Sequence, residues 1–410
     1  MAPREPLDRR GFLARTMKAG LVVSTAELGA AAAATAARRA IGDEPAASLV
    51  SRIKDPEIRA GVDAAITRTL DPAAVERVYP GHFTVTADGH AFGADTTYPG
   101  LDSWQMAGAY LLMGRTRIAL DYFDFVEASQ RRDGHVPFVI MPGGAPIDTS
   151  TYLRGLKYPD DVYTFKPKPR DGRKPQSNLA EQKWIGLFRH WQPKADPLST
   201  LAPVSHILTA AEIHAHAPDP AWLLAKLPSI EAAARFLLSK KTADGLISGS
   251  GFYTEMPPRY DRDGVAQCYV AHAFARLAEL FRAVGDNVGR SRWAAESTAL
   301  RAAFVRVFWK NDHFAEYVHP ERGVIDAHGL SDVNWAAVAF GLADDTHLKT
   351  LWPRLEEEKA FWHGEMPTQT VTRPFSYARW EYHEPLPFVP GNGPVYDVAA
   401  MGQTFTFIGC

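Results

Sequence analysis

Only two cysteines occur in the 410 residues, Cys268 and Cys410, so no disulfide framework organises this fold. Charge of one sign is missing as well. Lys and Arg number 45 against 47 Asp and Glu, a net charge of −2, whereas nucleic-acid binding needs clustered cations to neutralise phosphates. The short run Lys166-Pro-Lys-Pro-Arg170 is broken by prolines and reads as a solvated loop. H-E-x-x-H, a phosphate-cradling glycine loop and G-x-S-x-G are all absent. Asp261-Arg-Asp-Gly264 copies the opening of a calcium loop without the spacing of the later ligands. His214 and His216 stand two apart and cannot face the same way on a helix. No metal and no other cofactor is therefore expected.

The N-terminus is read as a targeting segment. Asp8-Arg9-Arg10-Gly11-Phe12-Leu13 resembles a twin-arginine signal, followed by an alanine-rich run and a small-residue A-x-A site at Ala34-Thr35-Ala36. No later stretch approaches the ~18 uninterrupted apolar residues that a membrane span needs. The expectation is a signal peptide over 1–37 and a mature protein, periplasmic or secreted, with no membrane contact after processing. A helix and a short β segment are expected over 38–93 and one large domain over 94–410; the oligomeric state is left open.

Beyond a helix at 46–70 and a weakly alternating strand or hairpin at 82–92, the pattern is helix after helix. Helices over 101–113 and 116–130 are joined by Gly114-Arg115, with the glycine at the expected C-cap. Pairs follow at 198–216 with 221–240, 264–284 with 289–309, and 331–342 with 347–358, and a last helix is expected over 393–408. Linkers within pairs are a few residues long. Those between pairs (131–197, 241–262, 310–330 and 359–392) are long, aromatic and polar. Up-and-down helices send alternate loops to opposite ends, so all the long ones should gather on one face, above the N-terminus of every other helix. The pattern predicts an all-α fold, an (α/α)6 toroid of αα-hairpins with a short β element before its first inner helix. The count is four complete hairpins plus a single helix at either end, one pair short of a closed six-hairpin ring. Either the first helix closes the ring or a C-terminal piece lies beyond Cys410.

Four junctions between a long connection and an inner helix each place a carboxylate beside an aromatic, the pairing that suits a carbohydrate cleft. The first, within 93–105, offers Asp102 or Ser103 as helix cap and Asp95, Tyr98, Trp104 and Gln105 at the mouth. The second is Thr254-Glu-Met-Pro-Pro-Arg-Tyr260, ahead of a helix capped by Asp263. Here Pro257 and Pro258 forbid helix, and Glu255 lies too far upstream to cap it. The third, within 329–335, has Ser331 or Asp332 as cap, with Trp335 beyond. The fourth, within 361–369, holds Trp362 and Glu365 and is extended by Arg373, Trp380, Glu381 and Glu384. Glycoside cleavage needs an acid to protonate the leaving oxygen and a second carboxylate to activate water or attack carbon. Glu255, between Phe252, Tyr253, Met256 and Pro257, has the apolar surroundings that raise a carboxyl pKa as an acid requires. Glu365, Glu381 and Glu384 compete as its partner, with Glu365 the one chosen.

These features together resemble the six-hairpin glycosidases of the (α/α)6-barrel kind, the group of trehalases, glucosidase-I-like enzymes and α-L-rhamnosidases. Glu255-Met-Pro-Pro-Arg-Tyr260 is similar to their D-x-S-P-R-[YW] loop, with Glu in place of Asp and Pro257 in place of Ser. That resemblance implies an exported glycoside hydrolase, inverting as most of the clan are, with Glu255 as general acid. It implies that Asp95, Asp102, Trp104, Gln105, Arg259, Asp332, Trp335 and Trp362 hold an oligosaccharide or glycoside. The family's base sits before the final inner helix, which on this count falls after Cys410. A polysaccharide lyase on a similar toroid is the alternative, with Tyr260 and Arg259 or His363 and Arg373 at work. A non-catalytic carbohydrate-binding protein is the third reading.

Overall fold

The computed structural model describes residues 50–76, 83–85, 97–100, 103–143, 162–165, 185–250, 262–356 and 380. The expected signal segment and the helix at 393–408 lie outside them. Helix α1, Pro56–Ala65, starts at Asp55, whose carboxylate accepts from the Glu57 and Ile58 amides. It continues through a π-helical turn, Ile66–Leu70, and one more turn, Asp71–Ala73. Strands β1 (Ala74–Glu76) and β2 (Phe83–Val85) then pair antiparallel, which supplies the short β element. The Tyr110 hydroxyl donates to the Leu70 carbonyl at 2.6 Å and ties this segment to the first helical hairpin.

Among the described residues, eight further α-helices come in four pairs. They are α2 (Ser103–Leu112) with α3 (Thr116–Glu127), α4 (Leu201–His216) with α5 (Pro220–Leu238), α6 (Gly264–Ala283) with α7 (Asn287–Phe308), and α8 (Asp332–Ala339) with α9 (Asp345–Leu355). Three of the four tight turns are built alike. Gly114, Gly285 and Gly341 each take a left-handed φ, at 70°, 80° and 65°, where a Cβ would be strained. The next amide then reaches back five residues, Arg115 to Tyr110, Asp286 to Phe281 and Leu342 to Ala337, which closes the helix end. In the remaining pair, α5 begins with Asp219 accepting from the Ala221 and Trp222 amides and Pro220 in the first turn.

Helices α2, α4, α6 and α8 pack each against the next, and α3, α5, α7 and α9 each back the helix that precedes them. The result is a two-layer arc of four αα-hairpins. Burial follows the layers: α4 and α6 are enclosed over most of their surface, whereas α7 buries one stripe, including Trp293, Leu300, Phe304 and Phe308. That apolar stripe, spread over several turns, is what seats the outer layer on the inner one.

The long connections carry β structure that periodicity did not indicate. β3 (Val139–Gly143), β4 (Val162–Phe165) and β5 (Ile185–His190) form an antiparallel sheet with β5 in the centre. β6 (Arg262–Asp263), β7 (Tyr317–His319) and β8 (Gly323–Ile325) form another with β7 in the centre.

Candidate functional site

The long connections meet. Thr97, ahead of α2, exchanges backbone hydrogen bonds with Ile140 of β3 at 2.8 Å each way. The Ser250 amide donates to the Pro197 carbonyl at 2.8 Å, and the Thr200 hydroxyl donates to the Ser250 carbonyl at 2.6 Å. Arg262 and Asp263 pair with Val318 and Tyr317. Trp380 sets its ring edge-on to His319, 5.3 Å between centroids, and carries the Arg322 guanidinium over its face at 4.2 Å. Four connections are thereby joined at the end where α2, α4, α6 and α8 begin. Helix N-termini there turn the positive ends of their dipoles toward whatever occupies the centre.

A depression opens between the starts of α2, α4 and α6. Its lining includes Trp104 of α2, Thr200, Val204 and Ser205 at the start of α4, Ser250, and Tyr269 of α6, and it encloses about 20 Å³, room for a single water. Trp104 and Tyr269 meet edge to face with centroids 6.1 Å apart, a geometry that fixes both rings. Among the described lining residues none is charged.

Amide side chains hold the connections onto the inner helices, and they do so twice with the same geometry. Gln267 of α6 accepts from the Ile247 amide at 2.8 Å and donates to its carbonyl at 2.9 Å. Asn334 of α8 accepts from the Phe314 amide at 2.8 Å and donates to its carbonyl at 3.1 Å. The separation is 20 residues in both cases, so each amide acts as a surrogate strand for the segment one connection upstream. Both side chains are fully buried, where unpaired backbone groups would be costly.

The segment that carries Glu255 leaves and returns at one spot. On one side Ser250 lines the depression. On the other, the Asp263 amide donates to the Gly249 carbonyl at 3.2 Å and closes the stem. Gly249 allows this because a Cβ there would stand 2.2 Å from Thr200 Cγ2. Glu255 lies five positions beyond Ser250 in the chain, a reach of at most roughly 18 Å.

Asp263 caps α6 as expected, accepting from the Val265 amide at 3.1 Å, and is fully buried. Ser331 is the cap residue of α8 and Asp332, also fully buried, its first helical residue. Burial pushes the Cys268 thiol up, and the neighbouring Asp263 and Asp332 carboxylates add to it, so this cysteine stays protonated. Gly264 lets α6 and α8 approach: a Cβ there would lie 2.5 Å from Val333 Cγ1. Beside that contact, Glu316 pairs with His328 through Oε2 and Nδ1, both side chains nearly inaccessible.

Of the residues expected at the site, Trp104 lines the depression and Gln105 comes next, partly buried, in the first turn of α2. Trp335 is buried in the core, edge-on to Trp352 of α9 at 6.3 Å. Asp332 is fully buried and does not line the depression. Asp95, Asp102, Glu255, Arg259, Trp362 and Glu365 lie outside the described residues, as do Tyr260, His363 and Arg373 of the lyase alternative. Sequence reading passed over Thr200, Ser205 and the Glu316–His328 pair. Nor did it single out Tyr269. Among the described residues no group of three or more His, Cys, Asp or Glu is placed to hold a metal, and no helix is long and apolar enough to cross a membrane.

No family model matches the chain, and no curated protein matches it in sequence. Among solved structures it is similar to a GH78 family rhamnosidase of Bacillus sp. GL1, with a TM-score of 0.51, 14% identity, and coverage of 75% of this chain and 26% of that one. An α-L-rhamnosidase from Dictyoglumus thermophilum overlaps at a TM-score of 0.42 and 14% identity, over 64% of this chain and 24% of that one. The likeness is one of fold. The chain spans about a quarter of the length of these two proteins.

Proposed function

We propose that this chain is the α/α-hairpin domain of an exported glycoside hydrolase. The observation that carries the reading is the meeting of four long connections over the inner-helix N-termini. The stem of the Glu255 segment opens there onto a depression floored by Trp104 and Tyr269. The likeness in fold to a domain of a rhamnosidase lends support and makes rhamnosides the first glycosides to try. Fold alone does not set chemistry, so the roles rest on residues.

Glu255 is the general acid that donates a proton to the leaving oxygen. Glu365 is the second carboxylate, activating water on the opposite face for an inverting displacement. The flat face of a sugar stacks on the Trp104 indole, outside the water-sized depression that this ring helps to line. Asp95, Asp102, Gln105, Arg259 and Trp362 are the further residues assigned to sugar binding. Delivery is through the twin-arginine signal at Arg9-Arg10, which exports folded proteins.

The test is a panel of aryl glycosides, rhamnosides included, read by release of the chromophore from the mature protein. Turnover of at least one member, with KM raised about tenfold in Trp104→Ala, supports the reading. No turnover on any member, and no protection against thermal unfolding by any of them, sinks it.

A further inference from the structure

We propose that the Glu316–His328 pair is a positioning pair for the site, holding the returning stem of the Glu255 segment in register with the starts of α6 and α8. The inference rests on the hydrolase reading above. Glu316 is tied three ways. Its carbonyl accepts from the Gly264 amide at the start of α6 at 3.0 Å, and its amide donates to the Ile325 carbonyl at the end of β8 at 3.1 Å. Its carboxylate meets Nδ1 of His328, which lies just ahead of Ser331 and Asp332 at the start of α8. The residues directly after Glu316, Tyr317 and Val318, pair with Asp263 and Arg262, where the chain comes back from Glu255. Through its backbone and its side chain, Glu316 thus links two adjacent inner-helix N-termini and one leg of the stem.

Burial argues that the pair serves more than adhesion. Both side chains are at most 4% exposed, and apolar side chains of like volume hold two elements together at least as well as a buried polar pair does. What a hydrogen-bonded pair adds is a fixed direction. A carboxylate on imidazole admits one register, whereas packed methyl groups slide. A shift of about 1 Å at a catalytic group can lower turnover about a hundredfold, so register at this stem is where such a device has an effect.

The experiment compares wild type with His328→Gln, which keeps a hydrogen-bond donor for Glu316, and with the double variant Glu316→Gln and His328→Gln, which removes the carboxylate–imidazole contact. Each is assayed for kcat and KM separately on the aryl glycoside that wild type cleaves best, alongside its melting curve. The expected result is a kcat about tenfold to a hundredfold lower in the double variant with KM within about twofold, and partial recovery in His328→Gln. Two folded variants with wild-type kcat overturn the proposal, as does failure of both to fold, since the pair is then a structural requirement only. A wild type inactive on every glycoside sinks the hydrolase reading and this role with it; an active wild type with equally active variants sinks only this role.

Discussion

Acid should unfold this protein early, and His206 shows why. The ring lies on α4, 3% exposed, stacked on Phe123 with centroids 4.3 Å apart. Its Nε2 stands 2.9 Å from Ser229 Oγ, which in turn donates to Gln130 Oε1 at 2.8 Å. That relay is satisfied by a neutral ring carrying its hydrogen on Nε2. Burial, with Lys226 adding to it, lowers the pKa from 6.5 to about 3. The unfolded chain takes up a proton below its ordinary histidine pKa of about 6.5, while the folded protein does not until about pH 3. Stability is therefore full above that pKa and falls as pH drops through the window. Between about pH 7.5 and about pH 5 the loss from this one group is roughly 2 kcal/mol. His135, stacked on Phe236 and lowered by burial to about 4, and His272, stacked on Phe340 and lowered by burial to about 3, add comparable amounts. The three together reach roughly 6 kcal/mol, a large part of the ~5–15 kcal/mol that holds a domain together. Urea unfolding at the two pH values measures the difference. His206→Gln should be less stable at the higher pH but lose roughly 2 kcal/mol less on acidification. An identical pH dependence in wild type and variant refutes the reasoning.

Gly249→Ala places a methyl 2.2 Å from Thr200 Cγ2; it should lower stability by about 1–3 kcal/mol and depress turnover of any accepted glycoside, read by melting and steady-state kinetics. Gln267→Leu strands the Ile247 amide and carbonyl and should cost roughly 2–4 kcal/mol in chemical denaturation. Asn334→Leu at Phe314 should cost a similar amount. A Gln267→Leu variant as stable as wild type would dismiss the clamp.

Helix pairing was legible because its signals are local. Aspartates and prolines at helix starts and glycines at helix ends act within one turn, so Gly114, Gly285, Pro220 and Asp263 mark their positions in the sequence itself. The sheets were not legible, since β3, β4 and β5 are short, lie in connections rich in Gly and Pro, and pair over long separations that alternation alone does not encode. The Gln267 and Asn334 clamps escaped for the same reason: a buried amide reading a backbone 20 residues upstream is a property of tertiary register. At the site, Trp104 was found from its place beside an expected helix cap. Tyr269 was missed because a helix face shared with Val265 and Cys268 reads as core, and its ring does pack there, with the depression beyond it. Trp335 shows the converse, an aromatic one turn into α8 that fills the layer between α8 and α9.

Glu255 as proton donor at the meeting of the four connections is the central claim. The direct measurement is turnover of two glycosides with the same sugar, one with a strongly acidic phenol as leaving group and one with an alcohol, by wild type and Glu255→Gln. A lost general acid should lower the alcohol substrate's rate by about 10²–10⁴-fold and leave the acidic phenol far less affected. Equal losses on both substrates, or none on either, would contradict the assignment.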